Sequence, residues 1–105
     1  MIYCFDIDGT ICSLTYGGKY GRATPFQDMI DKINELYDTG HTIKMFTARG
    51  SVSGNDYTDL TVTQLSRWGV KYHELIMNRK PHYDLLIDDK AVNVEDWRRC
   101  MLEKK

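Results

Sequence analysis

Long apolar stretches are missing from this sequence. Its hydrophobic runs are short, such as Leu85 to Ile87, whereas a bilayer-spanning helix needs roughly 20 apolar residues in succession; no membrane segment is expected. A strong charge of either sign is also missing. With 14 basic and 15 acidic residues the net charge is −1, so the broad positive field that drives nonspecific binding to nucleic acid is absent and nucleic acid is not an expected partner. Cysteine is scarce: Cys4, Cys12 and Cys100 are an odd set without metal-ligand spacing, and the chain opens on a strand-like run rather than a signal peptide, so a reducing, cytoplasmic location is expected. Repeats, low-complexity tracts and interdomain linkers are lacking as well.

What is present suits one globular domain over residues 1–105, with 42% hydrophobic and 28% charged residues. A chain of this size buries roughly 60–70% of its unfolded surface, enough for a core without metal or disulfide staples. Any metal is therefore expected to serve catalysis.

Ile2 to Phe5 reads as a strand covered on both faces and leading into Asp6. Residues 12–24 carry Gly17, Gly18 and Gly21 among Tyr16, Lys19 and Tyr20, which predicts a short hairpin or flap, with Tyr16, Tyr20 and Arg22 either facing a substrate or belonging to a solvated hairpin. Thr24, Pro25 and Gln27 have the pattern of a cap, a first-turn proline and the third residue of a capping box, predicting a helix start there. Phe26, Met29, Ile30, Ile33, Leu36 and Tyr37 then form one stripe, with Gly40 as its stop. Thr42 to Phe46 predicts the second strand, ending at Thr47. A Gly/Ser-rich loop follows, then a helix marked by Tyr57, Leu60, Val62, Leu65 and Trp68 and closed by Gly69. Glu74 to Met77 and Tyr83 to Ile87 predict two more strands, and Glu95 to Leu102 a closing helix. Alternating strands and helices imply a parallel sheet, and the expected fold is α/β, a three-layer α/β/α Rossmann-like arrangement.

The predicted strand ends deliver polar residues: Asp6 with Asp8, then Thr47, then Lys80 just beyond the third strand, then Asp88 with Asp89. Ligands of open α/β sheets bind at the carboxyl ends of strands, so these residues are expected to converge. Phosphoryl transfer needs an in-line nucleophile, a cation for the equatorial oxygens and a proton donor for the leaving oxygen. Hard carboxylate oxygens suit Mg²⁺ better than a Cys/His set would.

The run Asp6-Ile7-Asp8-Gly9-Thr10-Ile11 after an apolar strand resembles the first motif of the haloacid dehalogenase superfamily, and Thr47, Lys80 and Asp88-Asp89 resemble its second, third and fourth motifs in order. The resemblance spans essentially the whole chain and implies a HAD-like phosphatase without a cap domain, because only a glycine-rich stretch and one helix occupy the places where caps enter. It implies that Asp6 attacks phosphorus, that Asp8 gives a proton to the leaving alcohol and then activates water, that Thr47 and Lys80 hold the phosphoryl group, and that Asp6, the Asp8 carbonyl, Asp88 and Asp89 surround Mg²⁺. Thr10, Arg49 and Arg79 are the expected substrate contacts, Arg79 competing with Lys80 for the phosphate. Thr-Ala-Arg, Lys-Pro and Ile-Asp-Asp together also look like small phosphatases of capsule and surface-sugar pathways. The expected partner is a phosphorylated small molecule, such as a sugar phosphate, or an accessible phosphate on a larger substrate, with a homo-oligomer as one way of shielding an open site.

Taken singly, each feature has a plainer reading. An Asp-x-Asp after a strand often caps a turn or helix, Thr47 would serve as an N-cap, and Lys80 as a solvated cation; order and spacing argue for the site. Cys12 reads as a packed small residue, Asp84 as structural, and His41, His73 and His82 as surface or strand-edge residues. Two rival functions are a phosphoacceptor domain like response-regulator receivers and a noncatalytic binding protein of the same fold. Receivers place their acid pair first and the acceptor Asp after a later strand, whereas here the acceptor-like pair opens the chain.

Overall fold

A computed structural model describes residues 1–77 and 92–102 of the chain. Along these residues β1 (Ile2–Asp6), α1 (Gln27–Asp38), β2 (Thr42–Thr47), α2 (Thr58–Arg67), β3 (Glu74–Met77) and α3 (Val94–Leu102) follow in order. The described strands pair in parallel in the order β1-β2-β3. The expected strand over 83–87 lies outside the described residues.

Alternation along the strands decides which side is buried, since successive side chains point to opposite faces. Tyr3 and Phe5 align with Ile43 and Met45, and Met45 with Leu75. These side chains join one core with Ile30, Ile33 and Leu36 of α1, Leu65 of α2 and Trp97 of α3. Each large aliphatic side chain fully removed from water contributes roughly 1.5–3 kcal/mol, so this face holds the fold together. On the other face Ile2 is 67% exposed, Cys4 is exposed, and Lys44 pairs with Glu74 at 3.7 Å. Among the described residues that face of Ile2–Asp6 is uncovered, and the described helices contribute to the core on the opposite face. The apolar run Ile2 to Phe5 hides a period of two, because the outward positions are filled by residues whose hydrophobicity tolerates exposure.

The buried stripe of α1 matches expectation: Met29, Ile30 and Ile33 are inaccessible and Leu36 nearly so. Its start does not. Thr24 is held across the neck of the preceding loop, its carbonyl accepting from the Ser13 amide and its amide donating to Ser13 Oγ, while Cys12 and Pro25 form an antiparallel bridge. The helix therefore begins at Gln27 with Phe26 as its cap residue. The loop over 12–24 is a hairpin only at this neck; farther out it carries a single 3₁₀ turn, Tyr20–Arg22.

Both glycine stops act as expected. Gly40, at φ 97°, donates to the Tyr37 carbonyl and His41 to that of Leu36. Gly69, at φ 71°, donates to Ser66 and Val70 to Leu65 in the same way. Each is a Schellman closure that satisfies otherwise orphaned carbonyls. α3 is capped by Asn93, whose side-chain oxygen accepts from the Glu95 amide at 2.9 Å. It docks through Trp97, edge-on to Phe5 at 5.4 Å, and through Arg98, which donates to Asp28 at 2.6 Å. That hydrogen bond holds the Asp28 carboxyl below its usual range, yet the pair is half-exposed and worth at most about 1 kcal/mol. No helix among the described residues is long and apolar enough to cross a membrane.

Candidate active site

Parallel pairing brings the carboxyl ends of β1 and β2 to one edge of the sheet, where Asp6 aligns with Phe46 and Thr47 lies one residue beyond. The chain then turns sharply. The Thr10 and Ile11 amides both donate to the Ile7 carbonyl, at 3.1 and 3.0 Å, and Gly9 adopts φ 85°, a left-handed conformation that a side chain would strain. With Ile7 fully buried as the pivot, Asp6 and Asp8 border the same cavity of about 330 Å³, together with Thr15, Tyr20, Arg49 and Ser51. Asp6 Oδ1 accepts from the Ile7 amide at 2.8 Å.

Arg49, expected as a substrate contact, is on the wall of that cavity and is only 1% exposed. Its guanidinium grips Asp8 with two parallel bonds, Nε to Oδ2 at 3.0 Å and Nη2 to Oδ1 at 2.9 Å. Its Nη1 donates to Thr61 Oγ1 at 3.1 Å and to Gln64 Oε1 at 2.6 Å. The Tyr20 ring covers the guanidinium, with Cζ 4.8 Å from the ring centroid. A buried guanidinium has this many partners for a physical reason: each unsatisfied donor in a desolvated site costs about 1–3 kcal/mol or more.

Thr61 and Gln64 were not singled out by sequence reasoning. α2 was expected to bury an apolar stripe, but the structure leaves Val62 42% exposed and buries Thr61 and Gln64 with Leu65. A signal existed: Tyr57, Thr61, Gln64, Leu65 and Trp68 share one helical face, and two polar residues within such a face imply a buried partner. Gln64 also reaches the other way, its Nε2 donating to the Tyr20 carbonyl at 2.6 Å.

The remaining expectations divide. Thr47 is 1% exposed, with its hydroxyl accepting from the Arg49 amide at 3.1 Å; it is not among the side chains lining the carboxylate cavity, because strand alternation turns it to the side of Met45. Thr10 likewise contributes to the turn through its amide and does not line that cavity. Lys80, Arg79, Asp84, Asp88, Asp89 and His82 lie outside the described residues. His73 is at a strand edge as expected, its Nδ1 accepting from the Ile43 amide at 3.0 Å. Thr15, unnoticed in the sequence, has a buried hydroxyl without a hydrogen-bond partner among the described residues, and it borders the cavity.

Among the described residues no group of three His, Cys, Asp or Glu side chains is placed to hold a metal. The donors at the cavity are hard oxygens, which suit Mg²⁺. Asp6 offers a carboxylate, and Asp8, with both carboxylate oxygens engaged by Arg49, offers its backbone carbonyl.

Cys12 is fully buried, as its reading as a packed residue requires, and its thiol faces the Ile7 carbonyl and Asp8 Oδ1 at 3.6 and 3.7 Å. Burial, and then the neighbouring Asp8 charge, push its pKa up to about 12, so it stays a thiol across the working pH range. Iodoacetamide at pH 8.5 is expected to modify the exposed Cys4 and Cys100 in folded protein and Cys12 only in urea. Mass spectrometry showing Cys12 labelled as fast as Cys100 without denaturant would contradict this.

A second cavity, of about 310 Å³, adjoins the first through Tyr20, Ala48 and Val52 and is bordered farther out by Gly18, Asn55 and Tyr57. Gly50 makes its wall feasible: it sits at φ 85°, and a Cβ there would meet the Asn55 carbonyl oxygen at 2.0 Å. Tyr20 and Tyr57 close the wall edge to face, with centroids 4.9 Å apart.

No family model matches the chain, and no curated protein matches it. A crystal structure of an MCSG target from Vibrio cholerae is similar over 98% of this chain and 91% of that one, with a TM-score of 0.79 and 25% sequence identity. The likeness agrees with an α/β fold.

Proposed function

We propose that the chain is a Mg²⁺-dependent phosphomonoester hydrolase of the HAD type that works through an aspartyl-phosphate on Asp6. The observation that carries this reading is the pair Asp6 and Asp8 on one cavity at the end of a parallel strand, the second carboxylate held apart by a buried arginine. Two carboxylates with different partners suit different roles. Asp6 attacks phosphorus as the P–O bond to the alcohol breaks, and Asp8 passes a proton to the departing oxygen. Asp8, now a carboxylate, takes a proton from the water that hydrolyses the acyl phosphate and frees Asp6. Bound Mg²⁺ would offset the charge of the phosphoryl oxygens.

The adjoining cavity supports a phosphorylated metabolite as substrate. The described residues bordering it are tyrosine, glycine, serine, asparagine and small apolar side chains, with no charged group among these, which suits a neutral polar alcohol such as a sugar. The buried Thr15 hydroxyl, without a hydrogen-bond partner among the described residues, is a ready partner for an oxygen of the bound substrate.

Purified protein is expected to release inorganic phosphate steadily from a panel of sugar, nucleotide and small alcohol phosphates, with EDTA stopping the reaction and Mg²⁺ restoring it. Uptake of a single phosphoryl group without turnover would instead favour the receiver-like reading, and no reaction with any member would favour a noncatalytic binding protein.

A further inference from the structure

We infer that Arg49 is a positioning residue for Asp8, and that Thr61, Gln64 and Tyr20 form its seat, so that the orientation of the proton-transferring carboxylate is set by α2 and by the loop over 12–24. The inference rests on the reading of Asp8 as the proton donor and reassigns Arg49 from the substrate contact that the sequence suggested.

The geometry has three parts. Arg49 has no exposed side-chain surface, while Asp8 keeps 19% of its own; the carboxylate faces the cavity and the guanidinium stands behind it. The planar fork of Arg49 matches both Asp8 oxygens at once, and such bidentate pairing fixes orientation as well as distance. A guanidinium can aim a carboxylate only if it is itself immobile, and here Thr61 and Gln64 hold Nη1 from behind while the Tyr20 ring lies over the plane.

Gln64 makes the seat a junction. Its oxygen accepts from Arg49 and its nitrogen donates to the Tyr20 carbonyl, so one side chain links the guanidinium to the loop that borders both cavities. Tyr20 therefore touches the network twice, by its ring and by its backbone. An alcohol group bound against Tyr20 would bear on the same seat that aims Asp8.

The chemistry explains why the clamp takes this form. Each Asp8 oxygen accepts one bond from Arg49 and keeps a second lone pair, through which a proton can be exchanged with a group in the cavity. As the P–O bond breaks, a proton on Asp8 goes to the leaving oxygen, and the full charge left on the carboxylate strengthens both bonds from Arg49. Arg49 thus fits Asp8 as it stands after giving its proton, in the orientation from which it next takes one from water.

The test compares Arg49→Lys, Gln64→Met and the near-isosteric Thr61→Val with the unaltered chain, using p-nitrophenyl phosphate and an alkyl phosphate such as glycerol phosphate. A nitrophenolate leaves without a proton, whereas an alkoxide needs one. If the network aims the proton donor, kcat falls roughly 10–100-fold more for the alkyl ester than for the aryl ester, on the scale of general acid catalysis, with KM nearly unchanged. Equal losses for the two esters, or losses confined to KM, overturn the inference in favour of a structural or substrate-binding role. A second readout is independent of turnover: the Nε–H resonance of Arg49 in ¹⁵N-edited spectra, identified by its loss in Arg49→Lys. It is expected to exchange slowly, to move in Asp8→Asn and to broaden in Gln64→Met. An unchanged resonance in Gln64→Met and Thr61→Val overturns the inference even where the chain hydrolyses phosphoesters. Absence of turnover in the unaltered chain would instead remove the phosphatase reading, with the resonance still deciding whether the network holds Asp8.

Discussion

Asp6→Asn is expected to abolish both phosphate release and covalent phosphorylation, lowering turnover by at least about four orders of magnitude, the scale seen when an enzyme loses its nucleophile. The amide has nearly the same shape and keeps an oxygen to accept from the Ile7 amide, so the turn after β1 should survive. Circular dichroism and thermal melting are expected to match the unaltered chain. Rapid quench with a ³²P-labelled substrate reads the intermediate directly. Undiminished turnover in this variant would end the proposed mechanism, because among the described residues the other carboxylate bordering the cavity, Asp8, has both its oxygens engaged by Arg49.

Asp8 is expected to show the second large effect, in stability as well as rate. Arg49 is buried with Asp8 as its counter-ion, and removing one member of a buried pair strands the other charge. Asp8→Ala is expected to cost about 3–5 kcal/mol of folding free energy, toward the lower end because Asp8 itself reaches solvent. Urea unfolding measures this as a lower midpoint with little change in slope. Asp8→Asn keeps one oxygen facing the guanidinium and is expected to lose less stability, while slowing hydrolysis of alkyl phosphates about 10²–10⁴-fold. If Asp8→Ala unfolds at the same urea concentration as the unaltered chain, the pair does not contribute to the fold as the burial of Arg49 implies. Activity lost in Asp8 variants therefore has to be read beside their stability.

The motif at the end of β1 was legible because it is local. An apolar strand, a glycine at a left-handed position and two acids spaced by one residue occupy consecutive positions, so chain geometry alone brings Asp6 and Asp8 toward one cavity. The stripe on α1 and the stops at Gly40 and Gly69 were legible for the same reason: helical period and a positive φ are properties of a few neighbouring residues. The start of α1 was misread because Thr24 had two uses. Its pattern with Gln27 suits a capping box, but Ser13 on the other side of the loop neck takes its backbone groups first.

Arg49 shows where local reading ends. Two residues after Thr47, beside the strand ends, a free arginine is a natural substrate contact. Its true partners are 41 residues away at Asp8 and 12 and 15 residues away at Thr61 and Gln64. Nothing in the neighbourhood of Arg49 announces them, and on α2 the two acceptors stand among residues that read as an ordinary apolar stripe.

By itself, then, the sequence determined the order of the described elements, the glycine stops of α1 and α2 and the presence of two carboxylates at the close of the first strand, since these follow from φ preferences and from periods of 2 and 3.6. Only the tertiary structure decided that the two carboxylates differ. It buried Arg49 behind Asp8 rather than leaving it to the solvent, and burial forced the guanidinium to find every one of its acceptors within the protein. The physical reason is desolvation: a charge removed from water is held by whatever distant side chains the packing brings to it.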